Sequence, residues 1–584
     1  MMEYFREDGR TEQACGVPLP PDFCMSSAGL YYRDEGGDTL YLCPPFKVLG
    51  RCCEADGSQQ GLVLCYNDLH GQSRRLILKY SDLASGPGKL LQRLLDKGLM
   101  AVCSPVEARC LQQFFYALRP SQSCRLVRQR GWVDDQHFVL PGEVVGPQRE
   151  QIICADHDNN SLCSTRSDLN GWRQAVSCLS CGNPSLLFAQ SLAFAAPLMP
   201  LTGVDPGIFH LVAPTSSGKT SILHAVASLS GPPATIHSWN VSEAGLEAAA
   251  TSYNHRLLLL DEFAEIPPRR AQSLIYQITN GRAGLRAESQ GGLRPPYSWQ
   301  TLVLSAGEIT LEEHCQRLHV PLVDGQKVRL IDLAMPDTLF EDLHSVNDAA
   351  TFSQQLVTAA CQHYGTALPA YLTKLCDEDK NALRQEYDRQ ERAFLAHYFS
   401  IRSENQGALR RVARRFFLAG YGGELATRYG ITGWQEGEAL QAAHKLLSHW
   451  LHQRHKQLDD QRQQTLDQLY SFLEQHLQRF INLDDASFDS TGRPNLAGYY
   501  ATHEDTRDYF IKAPVMTRQI LKGLDKRAAL NYLVKDDLLK PCPHGGVPYV
   551  TRRLPRSDSP PQRVYHIRQN LDSPRERMSV QTLV

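Results

Sequence analysis

Near the middle of the chain, Ile208-Phe-His-Leu-Val-Ala-Pro-Thr-Ser-Ser-Gly-Lys-Thr-Ser-Ile222 runs an apolar stretch, a loop of small residues and a helix-forming segment in direct succession. Strand, tight loop and helix in that order turn backbone N–H groups toward one point at the positive end of a helix dipole. An anion fits there. In the pattern G-x-x-x-x-G-K-[ST] the lysine reaches the β/γ-phosphates and the hydroxyl residue holds Mg²⁺. Pro214, Thr215, Ser216, Ser217, Gly218, Lys219, Thr220 and Ser221 are therefore the candidate nucleotide-binding residues. Lys219 is the candidate catalytic cation among them, and Thr220 a candidate metal ligand. The first glycine of the pattern is Ala213 here. Standing alone, the stretch also reads as a Gly/Ser turn with an exposed lysine.

What such a loop lacks is a carboxylate for the metal and another for the attacking water. Leu257-Leu-Leu-Leu-Asp261-Glu262-Phe263 supplies both. Four apolar residues ending in two acids describe a buried parallel strand whose C-terminal end points into a site. Asp261 then positions Mg²⁺ and Glu262 polarises water. The two motifs together predict an ATPase using ATP and Mg²⁺. A strand that merely ends in Asp-Glu is the plainer alternative.

Gln300 to Glu308 reads as another buried strand, with Ser305 where a P-loop ATPase places its polar γ-phosphate sensor. Val320 to Leu333 reads as one more, carrying Arg329, which is placed to stabilise charge in a neighbouring subunit's site. Between the acids and Ser305, Asn280 to Trp299 reads as a hairpin turning at Gly291-Gly292. Its Arg282, Arg286 and Arg294 suit phosphate contacts, or belong to an ordinary solvated loop.

The rest of the chain is organised around this segment. A length of 584 residues exceeds one core and suggests about three or four domains. A net charge of −2 excludes a polycation, so any nucleic-acid contact must come from local basic patches or a shared channel. The N-terminus has no signal-peptide core, and the apolar stretch Leu186 to Met199 is too short for a bilayer and contains Gln190. A cytoplasmic protein without a membrane segment is expected. The 17 cysteines read as reduced small hydrophobes. Cys178 and Cys181, with Cys154 and Cys163, have the residue types of a zinc site but not the flanking turns.

In chain order, residues 1–28 read as a loose leader. Residues 29–150 read as a β-rich domain, an antiparallel meander followed by helices at Lys89 to Lys97 and Pro105 to Leu118. Ala234 to His237 is a short strand, and Ser242 caps a helix running to Ser252. Beyond Trp434 a long helical pattern reaches Ile481. Then a strand at Tyr509 to Ile511, two helices and a closing hairpin spell a winged helix over 485–569. Lys522, Lys526, Arg527, Arg552, Arg553 and Arg563 are its candidate phosphate contacts, and a protein-contact role is equally open. Residues 570–584 read as a disordered tail.

Further residues fall into a familiar order: Gly29-Leu-Tyr-Tyr32, Gly131-Trp132, Phe138-Val-Leu-Pro141, Ala193-Phe-Ala-Ala-Pro197, Ser216 to Thr220 and Leu260-Asp-Glu262. Tyr276, Asn280-Gly281, Ser305-Ala-Gly-Glu308, Gly325-Gln326, Val328-Arg329, Arg415-Phe416, Gly423-Glu-Leu425 and Gly430-Ile-Thr-Gly-Trp434 continue it. In this series the chain resembles the Domain of Unknown Function 927 family, whose cassette-chromosome members are MCM-like AAA+ helicases of mobile elements and phages. The resemblance implies a multidomain α/β chain. Its parts are an AAA+ P-loop ATPase core over 151–345, a helical lid and connector over 346–484 and a C-terminal winged helix. It makes Lys219 and Thr220 the Walker A pair and Asp261 and Glu262 the Walker B pair. Arg282-Ala-Gly284 is similar to the pore hairpin of MCM proteins, which makes Arg282 the first DNA-contact candidate. Ser305 stands near sensor 1, where those proteins have Asn. Arg329 stands at their arginine finger. Leu409 to Phe416 is similar to the lid helix, with either Arg411 or Arg415 as sensor 2.

The expectation is a ring, a hexamer, that hydrolyses ATP at subunit boundaries and moves along or unwinds single-stranded or forked DNA in element or phage replication. Two readings compete with it. One is an ATP-driven loader, initiator or defence switch without unwinding, and the other a module that uses nucleotide only as structural glue.

Overall fold

The structure, a computed structural model, describes residues 15–34, 36–101, 104–147, 151–154, 164–284, 286–287, 293–294, 297–318, 320–322, 324–335, 339–399, 406–485, 495–540, 550–552 and 562–570. They belong to two compact units, 1–448 and 449–584.

The first unit opens with an antiparallel meander of β1 (Phe23–Ser26), β2 (Gly29–Arg33) and β3 (Thr39–Cys43). Cys15 and Val17 are buried in the core beneath it, so the second half of the expected leader carries a strand and core residues. Next come β4 (Phe46–Cys53), β5 (Gly61–Asn67) and β6 (Ser73–Lys79), which pair antiparallel as the alternation predicts. Two helices, α1 (Pro87–Asp96) and α2 (Pro105–Ala117), then carry the chain back across the sheet. Such a crossover returns a strand parallel to its neighbour. Accordingly β7 (Ser123–Val127) pairs parallel with β4; β11 (Gln151–Cys154), reached through short strands rather than a helix, pairs parallel with β7, so the domain is not the plain meander expected. Leu90, Leu94, Leu111, Phe114 and Phe115 of the helices share one core with Phe46, Leu62 and Leu64.

Three short strands, β8 (Gly131–Trp132), β9 (Phe138–Leu140) and β10 (Glu143–Val145), bridge to the rest of the unit. The Trp132 backbone N–H donates to Nδ1 of His255 at 3.1 Å, and its indole N–H donates to the Pro197 carbonyl at 2.8 Å.

The centre is a five-stranded parallel sheet of β12 (Gly207–Val212), β13 (His237–Ser238), β14 (Leu257–Asp261), β17 (Leu302–Gly307) and β18 (Leu330–Ala334). The strand order is β13-β14-β17-β12-β18. Both β12 and β17 are buried along their whole length, which is why they read as unbroken apolar runs. Around the sheet lie α3 (Pro184–Ala195), α4 (Lys219–Ala227), α5 (Glu243–Ser252), α6 (Pro268–Asn280), α7 (Leu311–Arg317) and α8 (Asp324–Arg329). Ser242 caps α5, its hydroxyl accepting from Gly245 N–H at 3.0 Å.

The stretch expected as a strand from Val320 to Leu333 differs: Asp324–Arg329 is helical and only Leu330–Ala334 is extended. Short apolar runs leave helix and strand ambiguous. Here an i,i+4 bond from Arg329 Nη1 to the Gly325 carbonyl, 3.0 Å, and the stacking of Arg329 4.5 Å over the Tyr276 ring hold the helical form.

Helices α9 (Ala349–Gln362), α10 (Ala367–Asp377), α11 (Lys380–Tyr398) and α12 (Gly407–Arg428) follow. The helical stretch Pro184–Thr202 is long and apolar enough to cross a membrane by length and composition, yet 89% of its apolar segment is buried inside the protein. Its α3 part lies against α12, where a Cβ on Gly422 would come within 2.6 Å of the Ala195 nitrogen. Glycine at that crossing lets the helices touch backbone to backbone.

The unit boundary falls inside α13 (Glu438–Gln475). Leu469 and Leu473 pack with Phe480, Tyr509 and Leu533 in the second unit's core, so the expected boundary at 484 moves toward the N-terminus. That unit carries β19 (Phe480–Asn482), β20 (Gly498–Thr502), β21 (Thr506–Lys512), β22 (Val550–Arg552) and β23 (Gln562–Asn570) in one sheet of order β19-β20-β21-β23-β22. Against it lie a helical segment from Ala513 to Ile520 and α14 (Lys526–Lys535). Lys522, Lys526, Arg527 and Arg563 are exposed; Arg553 and residues 571–584 lie outside the described residues, as does Cys163.

Candidate nucleotide-binding site

The C-terminal edge of the parallel sheet gathers most of the residues singled out above. β12 stops at Val212, the chain turns through Ala213 to Gly218, and α4 starts at Lys219. Gly218 has φ 101°, and a Cβ there would meet Phe340 at 2.5 Å. No other residue fits that position without strain. Ser216 is also left-handed, φ 63°. Ala213, the departure from the glycine pattern, is 3% exposed, so its methyl sits in the core rather than in the mouth of the loop.

Lys219 folds back on its own loop, its Nζ donating to the carbonyls of Ala213 at 2.7 Å and Pro214 at 2.6 Å. Burial pushes its pKa down, while the charges of Glu308 and Asp261 work the other way. The Thr220 hydroxyl faces Asp261 Oδ2 at 3.4 Å, and Asp261 Oδ1 accepts from the Glu262 N–H at 2.9 Å. A hydroxyl and a carboxylate converging beside a phosphate loop are the oxygen donors that Mg²⁺ prefers, with phosphate and water completing its shell. Glu262 is exposed and left-handed at φ 65°, uncommon for a residue with a Cβ and a form of strain that collects at functional sites.

Ser305 is not in this constellation. It is fully buried, its hydroxyl bonded to Nδ1 of His210 and to the indole N–H of Trp239, each at 2.8 Å. It pairs with His210 within the strands, short of the sheet edge, and so cannot face a phosphate. Glu308, just past the end of β17, lies beside the loop instead: its Oε1 accepts from the Thr215 hydroxyl at 2.6 Å. The sequence signal for it was available, since Glu308 and not Ser305 is the last polar residue of the run.

Arg329, Arg411 and Arg415 stand at the other end of the sheet. Arg415 is 3% exposed; Nε donates to the Asp205 carbonyl at 3.0 Å and Nη1 to the Val328 carbonyl at 2.6 Å. Both carbonyls lie just ahead of the N-terminal ends of β12 and β18. Burial pushes Arg415 down to about 10; Asp205 opposes that shift, and Arg411 and Arg329 add to it. Arg411 is exposed. A six-residue strand spans roughly 20 Å, so β12 alone separates this cluster from Lys219 of the same chain.

The arginine hairpin rises between α6 and β17. Arg282 is exposed and bridges to Ser298, and β15 (Arg286–Ala287) pairs antiparallel with β16 (Leu293–Arg294), setting Arg286 opposite Arg294. Its expected turn at Gly291-Gly292 lies outside the described residues. The base is tied on both sides. Glu247 Oε1 accepts from Gly284 N–H at 3.0 Å and from Gln277 Nε2 at 2.9 Å, and Gln129 Nε2 donates to the Ser298 carbonyl at 2.9 Å.

No curated protein matches the chain. Among solved structures, "SCCmec type IV Cch - active helicase" shares the fold, with a TM-score of 0.67 over 97% of this chain and 99% of that one at 16% identity. Two structures of the NrS-1 C-terminal region cover 67% and 64% of this chain and 88% and 89% of theirs. Their TM-scores are 0.24 at 11% and 12% identity. Residues 23–298, from β1 through the phosphate loop and the Asp261-Glu262 pair to the end of the hairpin, match the family described as Domain of unknown function (DUF927).

Proposed function

We propose that the chain is an AAA+ ATPase that assembles as a ring, a hexamer, and uses ATP hydrolysis to translocate along or unwind DNA. The observation that carries this reading is the division of the charges between opposite ends of one sheet. The loop, Lys219, Thr220, Asp261 and Glu262 lie at one end. Arg329, Arg411 and Arg415 lie at the other, with the Asp205 carboxylate acting on Arg415. A cationic cluster that cannot reach its own phosphate loop is complementary to a neighbour's.

In that assembly the loop N–H groups and Lys219 bind the phosphates of ATP, and Thr220 and Asp261 hold Mg²⁺, which neutralises charge on the phosphates. Glu262 orients and polarises the attacking water. Arg329 and Arg411 enter from the adjacent subunit, and Arg415 fixes their platform. An arginine finger given in trans is worth roughly 10³–10⁵ in rate, which is why one chain's loop does not suffice. Arg282, with Arg286 and Arg294 on one rung of the hairpin, contacts DNA phosphates in the channel. The second unit is a winged-helix contact module, and the protein works in the cytoplasm.

The test is a mixing experiment. Lys219→Ala and Arg329→Ala chains, each inactive alone, should regain part of the ATPase when combined, because mixed rings contain intact interfaces. Glu262→Gln should hold ATP and fail to displace a strand from a forked duplex. Absence of complementation would refute the shared site. Full ATPase activity with no strand displacement in either polarity would transfer the assignment to a loader, initiator or switch.

A further inference from the structure

Away from the phosphate loop, a cavity of about 200 Å³ lies beneath α5 and beside the edge strand β13, closed on one side by Arg130 and Pro141 of the N-terminal region. Its wall contains Arg130, His237, Ser252, Tyr253 and Arg256 and, among the described residues, no acidic side chain. Arg256 is 3% exposed and lies 4.8 Å over the Tyr253 ring, and its Nε has no hydrogen-bond partner among the described residues. Nε2 of His237 is likewise buried without one. Arg130 is 6% exposed, its Nη1 3.4 Å from the Ser252 hydroxyl.

A guanidinium does not lose its proton in a protein. Arg256 is therefore a charge taken out of water, and such a charge needs a counter-ion within reach. The described residues of the wall offer Arg256 none. The volume is below the range of about 300–1,000 Å³ common for drug-sized ligands, so the occupant is small. We propose that this cavity binds a small phosphate-bearing anion, inorganic phosphate or a small phosphomonoester, with Arg256 and Arg130 as its charge partners and His237 Nε2 as a hydrogen-bonding group. Arg256 stands at the start of β14, the end opposite Asp261, so this site is separate from the phosphate loop. Occupation would join the N-terminal region, through Arg130, to the strand that ends in the acidic pair.

The experiment uses the full chain carrying Lys219→Ala, which removes phosphate binding at the loop. Calorimetric titration with inorganic phosphate and with glycerol phosphate should show one site, weakened on the order of tenfold or more by Arg256→Met and unaffected by Arg269→Met, a control at an exposed position. The tighter of the two titrants identifies the source of the phosphate group. In the absence of anion, Arg256→Met should leave Tm unchanged or raised, because it removes an unpaired buried charge; a merely structural arginine would lower it. Ala249→Leu, which fills the cavity without touching a charge, should abolish binding and decides the matter if Arg256→Met fails to fold. No binding of either titrant, or binding that survives both variants, overturns the proposal.

Discussion

Thr215 donates its hydroxyl proton to Glu308 at 2.6 Å, joining the phosphate loop to the end of the adjacent strand β17. The carboxylate also acts on Lys219, favouring its charged form against burial. A negative group at the mouth of a phosphate site opposes the charge of incoming nucleotide. Glu308→Gln keeps an acceptor for Thr215 and removes that charge. It should tighten ATP binding by roughly threefold to tenfold, the scale of a partly screened charge pair, read by titration of a fluorescent ATP analogue. Weaker binding would mean that Glu308 organises the loop instead of opposing its ligand.

Arg411 and Arg415 are four residues apart on α12, on one helical face, yet one is exposed and the other buried. Their variants should separate accordingly. Arg415→Met leaves the carbonyls of Asp205 and Val328 unpaired and should destabilise the chain by about 2–4 kcal/mol, lowering Tm even for protein that does not assemble. Arg411→Ala should leave Tm unchanged and reduce ATPase activity only where subunits meet. The reverse pattern would make Arg415 the residue that reaches the neighbour.

This pair also marks where sequence reading stops. The loop, the acidic pair, the capped helix α5 and the hairpin rungs were legible because each depends on residues close together in the chain. Whether α12 buries Arg415 or Arg411 depends on how deeply Val412 to Phe416 sinks against Phe188 and Phe209, which no local pattern encodes. Ser305 and Glu308 show the same limit in a strand. The run Leu302–Gly307 was evident, but only the pairing of Ser305 with His210 shows it to be interior. The parallel returns of β7 and β11 were hidden for a related reason: pairing direction depends on the path of the connection, which runs through two helices before β7 and through three short strands before β11.

Gly218→Ala should fail for two separable reasons. The left-handed backbone, φ 101°, costs a residue with a Cβ about 1–2 kcal/mol, and the methyl would meet Phe340. Adding Phe340→Ala removes the collision and leaves the backbone cost. The double variant should therefore still bind ATP far more weakly than the parent, measured by calorimetry. Recovery of full affinity would assign the effect to the ring contact alone.

In the second unit, Asp508 on β21 is 5% exposed and receives Nε and Nη2 of Arg568 on β23 at 2.7 and 2.9 Å. Arg568 holds its carboxyl below the usual aspartate range; burial opposes this, and His566 adds to it. A carboxyl with a depressed folded-state pKa stabilises the fold above its unfolded pKa, about 3.9, and loses that contribution as pH falls through the folded value. Asp508→Asn should therefore cost about 1–2 kcal/mol at pH 7, the modest figure reflecting the 40% exposure of the Arg568 side chain and its screening by solvent. Its penalty should shrink as the pH drops below about 4. Because the chain has two units, a global melt would blur the effect. Hydrogen exchange of the amides from Tyr509 to Ile511 reports it locally: protection in the parent should fall with acid toward that of the variant. A constant difference between the two proteins down to low pH would show that the arginine contributes packing rather than charge.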